Sequence, residues 1–334
     1  MRPTRILHTP TNVGNHPLSL SRAERELGFE SDVVDFIPAH AFRYEVDRSY
    51  DLGNRPLYVH LARRGSFLVE AVRRYDVFHY NWGQPLLPVR VAGRAFNELA
   101  LVKRLGKTVL VTFQGSDVRP RPGDRYQAPS AAAMLRHANR AFYLNPDLAP
   151  HVPGARFVPY ASVDVRAVEP VAPPDGGEVV VGHAPSNRRI KGTEHVIAAV
   201  EALRGEGVPV RLDLIEGVPH AEALARLNAA DLLVDQLLLG WYGGVAVEAM
   251  ARARPVVAAI DESRNPFGDR LPIVRASAAT LPDRLRELVA DRDARRRAGA
   301  AARAFALAEH DPRAIARSIL DGLVPVPQED QRAM

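Results

Sequence analysis

Residues 230–258 read ADLLVDQLLLGWYGGVAVEAMARARPVVA. Leu232, Leu233 and Val234 form an uninterrupted apolar run, the pattern of a strand buried on both faces. Gly240, Gly243 and Gly244 break that pattern, with Trp241 and Tyr242 set among them. A helical run over 245–252 follows, with Glu248 as its only acid. Pro255 closes it, and the apolar run over 256–260 predicts the next strand. Strand, glycine turn, helix, strand is the repeating unit of a parallel α/β fold. The glycines leave backbone N–H groups uncovered at a helix N-terminus, where the dipole favours an anion such as phosphate. Glu248 falls about one turn inside that helix, within reach of a hydroxyl on whatever carries the phosphate. A turn of this kind also serves as a plain connection, so the neighbouring chain decides its meaning.

Upstream, 179–182 predicts a strand, and the loop His183-Ala184-Pro185-Ser186-Asn187-Arg188-Arg189-Ile190-Lys191-Gly192 leaves it. A helix over 193–204 follows, with apolar residues at 196, 197, 200 and 203, then a strand over 210–215 and a helix over 221–229. Downstream come a strand over 271–274 and helices over 282–290, 292–308 and 312–322. The first half alternates in the same way. Strands are predicted over 6–8, 31–36, 75–80, 108–113, 141–144 and 156–160, and helices over 17–27, 58–74, 89–105 and 131–138. Residues 119–127 form a polar, proline-containing loop long enough to be functional. Residues 167–178 (AVEPVAPPDGGE) lack periodicity and mark a linker. The pattern therefore predicts an α/β protein of two Rossmann-like, doubly wound domains facing across a cleft. They span 1–166 and 179–323, with a tail over 324–334. The helix over 312–322 is a candidate to pack back on the first domain.

The 334 residues suffice for two domains with real cores. Hydrophobic content of 46% and charged content of 25% are those of a globular chain, which excludes extensive disorder. The formal net charge of +5, with a pI near 9.7, is carried by arginine. Arg295-Arg296-Arg297 reads as a solvated helix face. Such a balance suits an anionic membrane surface or a phosphorylated small molecule. No interleaving of basic and aromatic residues points to nucleic acid. With no cysteine, thiolate catalysis and Cys-ligated metals are excluded. No apolar run reaches the roughly 18 residues of a membrane span, and the N-terminal apolar segment is too short for a signal-peptide core. A cytoplasmic protein is expected, with peripheral contact at the inner membrane face left open.

Four loops at strand ends carry unusual polar content: 11–16, 79–83, 114–119 and 183–192. Arg188, Arg189 and Lys191 stand just ahead of a helix that begins at Gly192-Thr193, so three cations and a helix N-terminus could neutralise a diphosphate without metal. His79, His183 and His195 share no ligand spacing, and no metal site is expected. Gly14 is a lone glycine rather than a dinucleotide fingerprint. Gly115-Ser116-Asp117 is not a nucleophile elbow, and Lys191-Gly192-Thr193 lacks the upstream glycines of a P-loop.

Arg188-x-x-Lys191-Gly192 after a strand, the glycine turn, and Glu248-Ala249-Met250-Ala251 before Arg254-Pro255-Val256-Val257 together resemble the second domain of GT-B glycosyltransferases, most closely the retaining family-four group. Thr112-Phe113-Gln114-Gly115-Ser116-Asp117 and the run from Val158-Pro159-Tyr160 to Asp164 extend the likeness over nearly the whole chain. The resemblance implies sugar transfer from a nucleotide-diphosphate donor to a small-molecule or lipid-linked hydroxyl acceptor, without a resident cofactor. It implies that Lys191 and an arginine of the 188–189 pair grip the diphosphate and that Gly243, Gly244 and Val245 meet the phosphates. Glu248 would accept from ribose hydroxyls, with His183 and Gly14 joining the donor site. Lys191, Arg188, Gln114 and Asp117 are the catalytic candidates. Asn12, His16, His79, Asn81, Trp82 and Arg119 are the acceptor-side candidates.

Two departures from the family pattern stand out. Gly240 occupies the place of a glutamate that touches the donor sugar, with Asp235 or backbone near Trp241 as candidate substitutes. Gln114 stands where many members have histidine. A catalytically silent nucleotide- or glycan-binding protein and a sugar-nucleotide epimerase are the alternatives on the same scaffold.

Overall fold

The computed structural model describes residues 2–36, 44–91, 94–119, 127–170 and 177–325. In chain order the strands are β1 (Arg5–Thr9), β2 (Glu30–Asp35), β3 (Arg48–Ser49), β4 (Val77–Asn81), β5 (Val89–Val91), β6 (Arg94–Phe96), β7 (Thr108–Phe113), β8 (Arg140–Tyr143), β9 (Arg156–Phe157), β10 (Val179–His183), β11 (Val210–Leu214), β12 (Leu232–Val234), β13 (Val256–Ala258) and β14 (Val274–Arg275). The helices are α1 (His16–Glu26), α2 (Leu57–Arg74), α3 (Leu99–Arg104), α4 (Gln127–His137), α5 (Arg188–Lys191), α6 (Thr193–Gly205), α7 (His220–Ala229), α8 (Gly244–Ala251), α9 (Leu281–Ala290), α10 (Arg292–Glu309) and α11 (Pro312–Leu320).

The chain forms two compact units, each a parallel sheet with helices packed on it. Unit 1 runs to Ala161 and takes in the segment from Pro312; unit 2 holds Ser162–Asp311. The division thus falls just ahead of the 167–178 stretch, of which 171–176 lie outside the described residues. In unit 1, Ile315, Ala316, Ile319 and Leu320 of α11 are buried in one cluster with Leu20 and Ala23 of α1.

The sheet of unit 1 has the order β3-β2-β1-β4-β7-β8-β9, and that of unit 2 the order β11-β10-β12-β13-β14. All pairings within both sheets are parallel. The strand order reverses between β1 and β4 in unit 1 and between β10 and β12 in unit 2. Loops leaving the carboxyl ends of strands at such a switch point diverge and open a crevice within the sheet's own domain. In unit 2 those loops are the ones carrying Lys191 and the glycine turn.

One expected element differs. Residues 89–105 do not form one helix: β5 and β6 pair as an antiparallel hairpin, and only α3 is helical. Gly93 interrupts the helical pattern, and the alternation Val89-Arg90-Val91 fits a pleated strand better than a helix face.

Candidate active site

Unit 2 assembles its polar groups from both sides of its switch point. Val179 and Val181 fill the sheet core, and β10 ends on buried His183. The Nδ1 of His183 lies 2.7 Å from the Val234 carbonyl, so that nitrogen carries the proton and donates. Its Nε2, 2.8 Å from Thr193 Oγ, then accepts. Burial lowers its pKa and keeps it neutral. Both ring nitrogens are engaged inside the fold, tying β10 to β12 and α6, which leaves neither for the donor contact expected of it.

α5 is a single turn capped by Asn187, whose side chain accepts from the Ile190 N–H. It ends on Gly192 at φ 79°, where a Cβ would meet Leu237 and Leu238 at 3.3 Å. The Leu237 N–H bonds the Lys191 carbonyl at 3.1 Å. The two loops are therefore stitched together, and the Lys191 side chain is turned inward. Its Nζ lies 2.6 Å from Asp235 Oδ1. The other oxygen of Asp235 accepts from the Gly243 N–H at 2.5 Å. A Cβ on Gly243 would stand 3.0 Å from the Lys191 ammonium, so a larger residue would crowd that approach.

Three parts of the sequence reading need correcting here. The Gly243 amide is not bare; Asp235 holds it. Asp235, buried with both oxygens engaged, is not placed to replace the missing glutamate. And only one of the three cations reaches the turn. Arg188 is drawn to Glu216 and Glu194, in bonds of 3.0 to 3.1 Å, and Arg189 is exposed. Gly240 sits at φ 69°, where a Cβ would meet Asp261 Cβ at 3.1 Å, so a glutamate there would be both strained and crowded.

Gly244 and Val245 open α8, and Glu248 lies one turn further, largely buried, with His220 Nε2 at 2.6 Å from its Oε1. No local pattern marks His220, which comes from the start of α7. Trp241 and Tyr242 are fully buried, stacking on Phe267 and bonding His310 respectively, so they anchor the turn from beneath.

Unit 1 places its candidates around its own switch point. Gly14 and Asn15 are consecutive left-handed residues that turn the chain into α1. Asn12 donates to the Glu45 carbonyl at 3.0 Å. The Ala161 N–H donates to His16 Nδ1 at 2.9 Å, and burial with neighbouring His8 pushes the His16 pKa down to about 3. Asn81 donates to the His79 carbonyl at 3.1 Å, while Trp82 and Gly83 are both left-handed. Asp117 accepts from the Gln114 and Gly115 amides and is raised to about 6 by burial. Asn145 donates to the Gln114 carbonyl. Arg119 forms a two-pronged ion pair with Asp147 at 2.6 and 3.0 Å. Residues 120–126 of the polar loop expected over 119–127 lie outside the described residues.

Unit 1 also holds a buried cluster no local spacing announced. His8 and His79 are side by side in β1 and β4, and His8 Nε2 lies 2.9 Å from Glu24 Oε2. His8, Glu24 and His79 offer potential metal-ligand atoms within 4.8 Å of one another. Ser31 and Thr112 also bond into it, to Glu24 at 2.6 Å and to His79 at 2.7 Å. Zinc with imidazole needs bonds of about 2.0–2.1 Å, so any pair of these atoms near the 4.8 Å limit would have to close in before sharing one ion.

The depressed pKa of His16 has a stability consequence. The unfolded chain binds a proton at this residue below about pH 6.5, whereas the folded chain does so only near pH 3. Stability from this group is complete above 6.5 and declines as pH falls, by about 1.4 kcal/mol per unit. Asp117, raised to about 6, acts with the opposite sign between its unfolded value and 6. The difference between wild type and His16→Gln isolates the histidine. In denaturant titrations from pH 7 to 4, the variant's stability profile should be flatter by about that slope; parallel profiles would show that His16 is not held neutral.

No family model matches the chain, and no curated protein matches it in sequence. Among solved structures it is similar to sucrose-phosphate synthase from Thermosynechococcus elongatus, at 18% identity, 95% of this chain and 97% of that one, with TM-score 0.64. It is similar to HepE of Anabaena in complex with UDP and glucose, at 14% identity, 95% and 98% coverage, and TM-score 0.65. It is also similar to a UDP-N-acetylglucosamine 2-epimerase, at 13% identity, 90% and 91% coverage, and TM-score 0.54. These likenesses establish a GT-B-like two-domain fold, shared by solved structures that include an alpha-glucosyltransferase and a UDP-N-acetylglucosamine 2-epimerase.

Proposed function

We propose that the protein is a retaining, metal-independent glycosyltransferase that moves a sugar from a nucleotide-diphosphate donor to a hydroxyl acceptor. The observation that supports this most is the convergence of Lys191 and the α8 N-terminus in unit 2, with Glu248 one turn further on. In this reading Lys191 and the amides of Gly243, Gly244 and Val245 hold the diphosphate, with Arg189 at the surface nearby. Glu248, oriented by His220, accepts from the ribose hydroxyls. The bond between the anomeric carbon and the diphosphate oxygen breaks, the acceptor oxygen bonds to the same face, and its proton passes to the leaving diphosphate. No protein nucleophile is needed, and catalysis is positioning plus stabilisation of the leaving charge. The acceptor, a small-molecule or lipid-linked hydroxyl, is received by unit 1, in the region of Asn12, His16, Trp82 and Gln114. HepE, solved with UDP and glucose, shows that such a fold can hold a uridine diphosphate.

The test is a thermal-shift panel of nucleoside diphosphates, followed by product analysis of the matching donor with and without a chelator. A ligand at 100-fold its Kd stabilises by about 2.7 kcal/mol, so a hit should raise Tm by about 5–10 °C. NMR should then show a glycoside with the donor's anomeric configuration, formed equally with EDTA present. Binding without product would make the chain a binding protein, and an inverted sugar stereocentre would make it an epimerase. Loss of transfer on chelation would refute metal independence and direct attention to His8, Glu24 and His79.

A further inference from the structure

The two donors expected to receive a phosphate are already held by an anion of the protein's own. Asp235 directs one oxygen to the Lys191 ammonium at 2.6 Å and the other to the Gly243 N–H at 2.5 Å. Gly243 is the residue immediately before α8, so this pair, a cation and an amide at a helix N-terminus, is what two oxygens of a bound phosphate would engage. The carboxylate does not swing freely. Asp235 follows β12 directly and its own N–H bonds the Val257 carbonyl at 2.9 Å. Its side chain is fully buried, and a Cβ on Gly243 would stand 3.4 Å from its Oδ2 and 3.0 Å from the Lys191 ammonium. In its absence Lys191 would be a buried charge without a counter-ion. In its presence an incoming diphosphate meets a fixed negative charge within the same donor set.

We propose that Asp235 is a built-in anion that keeps Lys191 and the Gly243 amide in place in the free protein and competes with the diphosphate for them, limiting how tightly the leaving group is held. This rests on the reading of Lys191 and α8 as the diphosphate site. It makes Asp235 a positioning residue that favours product release. Like charges a few ångströms apart in a partly buried site repel by an amount lying between the water and interior limits. Removing the charge while keeping an acceptor should therefore tighten anion binding rather than weaken it.

The experiment is calorimetric binding of inorganic pyrophosphate, a probe independent of the base, to wild type, Asp235→Asn, Asp235→Ser and Lys191→Ala. Asp235→Asn keeps the shape with one acceptor oxygen; Asp235→Ser keeps a smaller acceptor. The expected result is a Kd lower by about tenfold in a folded Asp235 variant. With a donor in hand, kcat and KM should fall together as release becomes limiting. An unchanged or higher Kd would overturn the proposal, because a carboxylate that only braces Lys191 would loosen the site when removed. Failure of both Asp235 variants to fold would also overturn it, by making the residue a structural counter-ion. Lys191→Ala separates the two levels: if it leaves pyrophosphate affinity unchanged, the site reading itself fails, whatever Asp235 does.

Discussion

Lys191→Ala is expected to lower sugar transfer by about 10²–10³-fold, the loss that follows removal of one preorganised donor from a developing negative charge. The ammonium is the one cation that the loop after β10 turns toward the glycine turn, and its neighbour Arg188 answers Glu216 and Glu194 instead. The substitution also strands the buried Asp235 carboxylate. Breaking one partner of a buried pair costs about 3–5 kcal/mol, so Tm should fall by about 6–15 °C. Activity and stability would then be lost together, and a slow variant could be dismissed as a damaged one. Lys191→Ala/Asp235→Ala resolves this. With both charges gone, the desolvation cost of the orphan disappears, and Tm should recover most of the loss. Transfer should not recover, since the second substitution puts no positive group in the place of Lys191. Steady-state rates with the matching donor, read beside melting curves, give both answers. Wild-type transfer in the single variant would remove Lys191 from the mechanism.

The elements around residues 230–258 were legible because parallel strands covered on both faces read as apolar runs, as Leu232, Leu233 and Val234 do. Glycines were equally readable as the break between strand and helix, but the carboxylate of Asp235 that covers the Gly243 amide was not. What the chain order hides is partnership. Lys191 and Asp235 are 44 residues apart and meet only because β10 and β12 are neighbours at the switch point. His220 reaches Glu248 from another helix, and His8 reaches Glu24 across the layer between sheet and α1. Arg188 illustrates the reverse failure. Proximity in sequence to Lys191 suggested a shared task, yet side chains on one short turn point in different directions, and two carboxylates were within its reach. Trp241 and Tyr242, set among glycines, carry no local periodicity that would mark them as core residues. Their burial shows that the turn needs a hydrophobic footing to hold its amides in place. The hairpin of β5 and β6 was misread for a different reason: a short amphipathic strand pair and a helix interrupted by glycine share much the same polar and apolar pattern.

Gly299→Ala is expected to destabilise the protein by about 2 kcal/mol, against the direction that helix propensity gives. In the middle of a helix, alanine is favoured over glycine by about 1 kcal/mol, and α10 is such a helix. Yet a Cβ at 299 would stand 2.1 Å from the Ala253 carbonyl oxygen and 3.0 Å from its carbon. Those are backbone atoms, and they belong to the cap of α8. Ala253 is itself left-handed at φ 56°, its N–H bonding the Met250 carbonyl while Arg254 N–H bonds Ala249, each at 3.0 Å. That is the paired arrangement that commonly ends a helix with glycine at the position Ala253 occupies. The cap cannot yield without releasing those bonds, so α10 must retreat or α8 must unwind at its end. Overpacking of this kind costs about 1–3 kcal/mol and at times more, which outweighs the propensity gain. The Tm should fall by about 4–8 °C. Because α8 carries Glu248 and begins beside Gly243, nucleoside diphosphate affinity should weaken in the same variant. Ala253→Gly removes the left-handed strain on the other side of the contact and should stabilise by up to about 1 kcal/mol. A Gly299→Ala protein that melts at or above the wild-type temperature would mean that α10 does not approach α8 closely enough for glycine to be required.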